Sequence, residues 1–221
     1  MSFLFQHDSL QLQREVMVRT QLAERGIRDL RVLDAMRRVP RHEFVPEISR
    51  QDAYGDHPLP IGEGQTISQP YIVAAMLEHL ALRGSDRVLE VGTGSGYVTA
   101  LLSLLCGDVY SVERHAQLAA SAESTLHRLK YPNVKIKIGD GREGWAEYAP
   151  FDAILVSAAT AEMPPALFNQ LREGGRMVVP VGPPSSQELQ LVRKVSGQVE
   201  VKILEGCRFV PLVAGEIVRQ F

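Results

Sequence analysis

Three acidic residues, Glu90, Glu113 and Asp140, each stand where an apolar run ends, and Glu90 is followed by Gly92, Gly94 and Gly96 at alternate positions. This is a set suited to holding a nucleoside. Glycine has no Cβ, so the backbone can turn tightly and come close to a ligand. A carboxylate at position 113 can accept both hydroxyls of a ribose. One at position 140 can accept from an adenine amino group, and Gly141 beside it leaves room for the ring. A dinucleotide-binding turn calls for G-x-G-x-x-G, but Tyr97 follows Gly96 here and the third glycine comes one residue early. Pyrophosphate would also fit poorly beside the Glu90 carboxylate. A cationic cofactor, such as S-adenosyl-L-methionine with its ammonium and sulfonium, fits better. Taken singly, each acid could be a helix N-cap or a solvated turn, and the glycines a strand-to-helix turn with no ligand. Three acids at successive strand ends, with the glycine turn, read together as an adenosyl site.

Those residues need a frame to bring them together. Apolar patterning predicts strands over 88–91, 109–112, 134–138, 151–156 and 177–181, with helices over 72–82, 97–106, 116–129 and 165–171, the last stopped by Gly174-Gly175. Strands alternating with helices imply a mostly parallel, doubly wound α/β sheet covered on both faces, and ligands bind beyond the C-terminal strand ends of such a sheet. The stretches 189–195 and 199–213 alternate like a hairpin that adds antiparallel strands at one edge. Upstream, helical spacing over 10–24 points Leu10, Val16, Met17, Thr20 and Leu22 inward, with Gly26 as the stop. A second helix over 29–37 points Leu30, Val32, Leu33 and Met36 inward and is closed by Pro40. Residues 45–70 have no periodicity, which for a segment this long indicates a functional loop. Residues 1–70 thus form a helical extension and cover, and residues 71–221 one compact Rossmann-like unit.

Composition narrows the function classes. The 221 residues carry 24 basic and 26 acidic side chains, a formal net charge of −2, which gives no electrostatic case for nucleic acid. No apolar stretch nears the length that spans a bilayer, and the N-terminus lacks the basic start and apolar core of a signal peptide. Cys106 and Cys207 sit in apolar surroundings without a C-x-x-C pair, so they read as buried free thiols, and no zinc site can be built from them. The expectation is a cytoplasmic monomer without metal.

Methyl transfer from a sulfonium is an in-line displacement that depends mostly on alignment. An amine or hydroxyl acceptor must lose a proton, whereas a carboxylate is already ionised at neutral pH. His42 and His57 are the histidines nearest the predicted cover, and neither has an evident orienting partner. Residues 59–70 offer hydroxyls and amides, groups that orient a carboxylate without deprotonating it. An anionic acceptor is therefore favoured. A small-molecule methyltransferase would need a closed apolar pocket and a base. A cofactor-binding module without catalysis would bind but not turn over.

The segment "DAYGDHPLPIGEGQTISQPYIVAAMLEHL" resembles the signature of protein-L-isoaspartate O-methyltransferases. The similarity continues through "MVRTQLAERGIRDLRVLDAMRRVPRHEFVPE", "VLEVGTGSGYVTALLS", "GDGREGW", "APFDAILVSAA", "LREGGRMVVPVG" and "CRFVPLV", covering residues 12–213. The "GQTISQP" block separates this family from other adenosylmethionine-dependent enzymes. The resemblance implies methylation of the α-carboxyl of isoaspartyl residues in damaged proteins and peptides, opening repair through a succinimide and releasing S-adenosyl-L-homocysteine. It implies Ser68 as the active-site residue that hydrogen-bonds the substrate carboxylate, with Ile67 and Ser68 against the cofactor and Thr66 and Ile67 shaping the acceptor site. Cofactor contacts would fall on Glu90, Gly92, Gly94, Gly96, Glu113, Asp140 and Gly141. Val210-Pro211-Leu212 would lie over the substrate peptide. Ser157 stands where the family often has threonine. Without the resemblance, Ser68 would read as an N-cap ahead of Pro70.

Overall fold

The computed structural model describes residues 2–213, with side chains from Ser9 onward. Helix α1 (Ser2–Val16) runs directly into a π-helical stretch, Met17–Ala23. The predicted start at 10 is therefore late, and the extra residue per turn rotates the buried face. Met17, Val18 and Leu22 are buried, whereas Val16 stays exposed. The Thr20 hydroxyl is turned back onto the Val16 carbonyl at 2.9 Å rather than inward. Helix α2 (Leu30–Arg38) is capped by the Asp29 side chain, which accepts from Arg31 and Val32 N–H. Leu30 sits on its outer face, 77% exposed, contrary to the inward placement expected from its type.

Residues 45–70 are more ordered than their composition suggests. A 3₁₀ turn, Glu47–Asp52, leads to a hairpin of β1 (Leu59–Gly62) and β2 (Gln65–Ile67). Gly62, Glu63 and Gly64 all adopt positive φ at its tip, a turn that two glycines make affordable. Helix α3 (Pro70–Leu80) follows, opened by proline at its first position.

The main sheet holds seven strands: β3 (Arg87–Val91), β4 (Asp108–Glu113), β5 (Val134–Ile138), β6 (Phe151–Val156), β7 (Leu171–Val181), β8 (Gln187–Val195) and β9 (Gln198–Cys207). Their order is β5-β4-β3-β6-β7-β8-β9, parallel from β5 to β7 and antiparallel thereafter. The chain winds outward from β3 to β5, then returns to β6 on the other side of β3. The switch point, and hence the ligand crevice, lies beyond the C-terminal ends of β3 and β6. Helices α4 (Tyr97–Leu105), α5 (Ala116–Arg128) and the short α6 (Pro165–Asn169) complete the crossovers.

Successive residues of the strands face opposite sides, so the sheet feeds two cores. Val88, Ala153, Leu155 and Val178 join one that includes Met17, Met36, Leu77 and Leu101; the N-terminal helices and the sheet therefore share a single hydrophobic cluster. Leu89, Val91, Ile154, Val156 and Met177 form the other, against Phe151 and Leu167. Gly174-Gly175 does not stop a helix but lies within β7, where pairing with β6 slips between Leu171 and Arg176. The terminal hairpin ends at Cys207, six residues before the predicted 213. Cys106 is buried as expected and Cys207 only half so. The tail after Val213 lies outside the described residues.

Candidate active site

At the switch point, β3 ends in a turn whose three glycines, Gly92, Gly94 and Gly96, have φ of 93°, 53° and 89°. These are left-handed values that disfavour side chains. A Cβ at Gly92 would meet Ser157 Cβ at 3.5 Å, and one at Gly94 would meet Ile61 Cδ1 of the β1–β2 hairpin at 3.3 Å. The hairpin therefore lies on the turn and walls a cleft. Gly92, Gly94, Glu113, Gly141, Thr66, Ile67, Ser68, Val210, Pro211 and Leu212 line it, together with Tyr97, His115 and Ser157. Most of the residues picked out in the sequence are thus brought together. Gly96 stands just behind, packed against Ala122 and Leu126 of α5.

Glu113 is almost fully buried, and its carboxylate organises the cleft. Oε2 accepts from Gly94 N–H at 2.8 Å and Oε1 from His115 N–H at 2.9 Å. Each oxygen keeps a lone pair for a ligand donor. Asp140 acts as an N-cap, accepting from Arg142 N–H at 2.9 Å and pairing with the Arg142 guanidinium at 2.6 Å. That pairing holds its carboxyl below the usual range. Beside it, a Cβ on Gly141 would sit 2.4 Å from Val91 Cγ1 and 3.5 Å from Leu212 Cδ1. A side chain has no room there, so the close packing of Gly141 on Val91 requires glycine. The glycine turn and the Glu113 lone pairs make the cleft fit an adenosyl cofactor.

Glu90 is a correction. It was expected to place a negative charge beside the turn, but it is wholly buried and lies outside the cleft lining. Its Oε2 accepts from Thr99 and Ser111 hydroxyls, each at 2.6 Å, and Ser111 is in turn 2.6 Å from the Thr93 hydroxyl. Burial pushes its carboxyl up to about 8, so it is mostly neutral at pH 7. Glu113 is the acid that faces the cleft, and Glu90 buttresses the turn from behind.

Neither His42 nor His57 lines the cleft, and only the expectation that His42 lacks orienting partners fails. His42 has orienting partners, the Tyr54 hydroxyl at 2.7 Å and Glu43 at 3.5 Å, but it is buried away from the cleft. His57 is exposed. His115, not singled out in the sequence, does line the cleft and lies 3.6 Å from Glu63 at the hairpin tip. It follows Glu113 by two residues, so it belongs to the Glu113 end and not to the end near Ser68. The N-cap reading of Ser68 also fails: the cap of α3 is Gln69, which makes no side-chain cap bond.

A second, wider and open groove adjoins the cleft, bounded by Tyr71, Gln187, Arg208 and Phe209. The two share Thr66, Ser68, Ser157, Val210 and Pro211, so they meet there. The 210–212 segment is held over β6 by Ala159 N–H donating to Val210 O at 2.7 Å and Leu212 N–H to Ala159 O at 2.6 Å. Ser157 was noted in the sequence only as a departure from threonine. Its position at the junction depends on β3 and β6 being neighbours, which no local pattern reveals.

Comparison with known proteins points one way. Residues 12–217 match the family model described as protein-L-isoaspartate(D-aspartate) O-methyltransferase. The chain is 57% identical over 205 residues to the protein-L-isoaspartate O-methyltransferase of Koribacter versatilis, covering 93% of this chain and 92% of that protein. It is similar to a solved protein-L-isoaspartate O-methyltransferase at TM-score 0.82 and 32% identity, covering 92% of this chain and 67% of the other. A Plasmodium falciparum structure titled for the same activity, in complex with S-adenosyl-L-homocysteine, aligns at TM-score 0.80 and 29% identity over 90% of this chain and 98% of its own.

Proposed function

The chain belongs to the protein-L-isoaspartate(D-aspartate) O-methyltransferase family, and from that premise we propose that it methylates the α-carboxyl of L-isoaspartyl residues in damaged proteins and peptides. The observation that carries the reading is the junction at Ser68, where the cleft lined by the glycine turn and Glu113 opens into a wider groove that could take an extended chain. When bound, S-adenosyl-L-methionine supplies a methyl group on a sulfonium and leaves as S-adenosyl-L-homocysteine.

The chain's own residues bind and align. Glu113 accepts from the ribose; Ile67, Gly92, Gly94, Gly96 and the Asp140-Gly141 pair shape the nucleoside site, with Glu90 supporting it from below. Ser68 donates its hydroxyl to one oxygen of the substrate carboxylate and leaves the other free to attack. Thr66, Ile67 and Val210-Pro211-Leu212 bound the acceptor peptide. No base is required, because a carboxylate with a pKa near 4 is already ionised. Residues 1–70 serve as cover and residues 71–221 as the cofactor-holding unit. The protein acts as a cytoplasmic monomer on peptide substrates, without nucleic acid or membrane. Its near-neutral charge and free thiols support this, and no helix among the described residues is long and apolar enough to cross a membrane.

Two synthetic peptides that differ only in isoaspartate versus aspartate at one position test the reading. Labelled methyl groups should appear on the isoaspartyl peptide alone and leave as methanol in mild base. Equal labelling of both would make the enzyme a general carboxyl methyltransferase. Cofactor binding with neither peptide labelled would favour a small-molecule enzyme or a binding module. In the same assay Ser68→Ala should lower kcat/KM by about 10- to 150-fold, equivalent to the roughly 1.5–3 kcal/mol of a lost hydrogen bond to a charged group, with cofactor affinity nearly unchanged. Full turnover by that variant would remove Ser68 from the mechanism.

A further inference from the structure

Arg41 opens the 3₁₀ turn Arg41–Phe44 and is fully buried. Its Nε donates to Ala53 O at 2.7 Å and its Nη2 to Ser68 O at 2.9 Å, while the guanidinium lies over the Tyr97 ring at 5.0 Å. Nη1 has no hydrogen-bond partner. No carboxylate forms an ion pair with it among the described residues. Burial lowers its pKa, with the Tyr97 and Tyr54 hydroxyls acting in the opposite sense.

A buried charge without a counter-ion is destabilising, and an apolar side chain of like volume would fill the space without that cost. What an apolar residue cannot do is donate to two carbonyls at once from a rigid fork. Those carbonyls belong to Ala53 in the cover and to Ser68 at the junction of cleft and groove, and Tyr97 is the first residue of α4 after the glycine turn. The guanidinium therefore ties the cover, the acceptor site and the cofactor turn at one point.

We infer that Arg41 is a positioning residue for the acceptor carboxylate: by fixing the Ser68 carbonyl it fixes where the Ser68 hydroxyl points. This rests on the proposed role of Ser68. Arg41 does not itself line the cleft or the groove, so it acts through Ser68 and not on the substrate.

The test is a double-mutant cycle of Arg41→Met and Ser68→Ala, read in kcat/KM for the isoaspartyl peptide and in the Kd of S-adenosyl-L-homocysteine. Arg41→Met should lower kcat/KM by roughly 10- to 100-fold, as a small misplacement of an aligning group can, and S-adenosyl-L-homocysteine affinity by less than about threefold. Arg41→Met added to Ser68→Ala should cost less than about threefold more, because both changes remove one interaction. Losses that multiply, an unchanged Arg41→Met enzyme, or a cofactor affinity that falls as far as kcat/KM would each overturn the inference. If Arg41→Met does not fold, Arg41→Lys, which keeps the charge but not the fork, enters the same cycle with the same criteria. A wild-type enzyme that fails to label the isoaspartyl peptide defeats the proposed activity and this inference with it. Labelling by the wild type together with multiplying losses defeats the inference alone.

Discussion

Replacing Glu113 with alanine is expected to weaken S-adenosyl-L-homocysteine binding by about 100- to 1000-fold, measured by calorimetry, while the isoaspartyl peptide's KM at saturating cofactor stays within about threefold. Two effects combine. A ligand ribose loses a charged acceptor worth roughly 1.5–3 kcal/mol for each hydrogen bond. Gly94 and His115 also lose the acceptor for their N–H groups, which are 2.8 and 2.9 Å from the carboxylate in this structure. The glycine turn would then relax from the shape that the cofactor needs, and order lost before binding must be restored on binding. Glu113→Gln separates the effects. The amide oxygen can replace one acceptor but not both, so it should recover part of the loss and leave about a tenfold deficit. An alanine variant that binds the cofactor as tightly as the wild type would remove Glu113 from the site. Ser68→Ala should show the opposite signature, with turnover reduced and cofactor affinity kept.

That contrast also marks how far the sequence could be read. The strand-end acids and the glycine turn are local in sequence, so their chemistry shows without a fold. The alternating pattern then places the turn, Glu113 and Gly141 on one edge of the sheet, where the structure has them. Partners set by long-range packing were not legible. Glu90 has the right type at the right position, but its direction depends on Thr99 of α4 and Ser111 of β4, 9 and 21 residues away. His42 appeared partnerless because Tyr54 lies 12 residues on, across two short 3₁₀ turns. The β1–β2 hairpin escaped notice because Pro60 and three positive-φ residues at its tip obscure any period-two pattern in strands this short. The shift from Val16 to Val18 as the buried position likewise reflects a π-helical turn, which a 3.6-residue template cannot represent.

The buried Glu90 network predicts the second large effect, and it depends on pH. Glu90 has its carboxyl raised from 4.5 to about 8, first by burial, which outweighs the Thr99 and Ser111 hydrogen bonds that favour the ion, with the Glu113 charge adding to the rise. Between those two values the native state holds a proton that the unfolded chain has released. Stability is therefore fully present below about pH 4.5, falls by up to about 1.4 kcal/mol per pH unit as pH rises, and levels off above about pH 8. The total contribution is a few kcal/mol. Glu90→Gln cannot ionise, keeps an oxygen for the Thr99 and Ser111 hydroxyls, and places its amide nitrogen where Oε1 already lacks a partner. Urea unfolding at pH 5 should find Glu90→Gln and the wild type within about 1 kcal/mol of each other. At pH 8.5 the glutamine variant should be the more stable by about 2–4 kcal/mol, because only the wild type is then carrying a buried charge. Glu90→Ala should be less stable than Glu90→Gln by about 3 kcal/mol at both pH values, since two hydroxyls lose their acceptor and a cavity opens under the turn. If the wild-type and glutamine curves run parallel from pH 5 to 8.5, Glu90 keeps its charge in the native state. The turn would then carry two negative groups instead of one, and the charge that faces a cationic cofactor would have to be shared between Glu90 and Glu113.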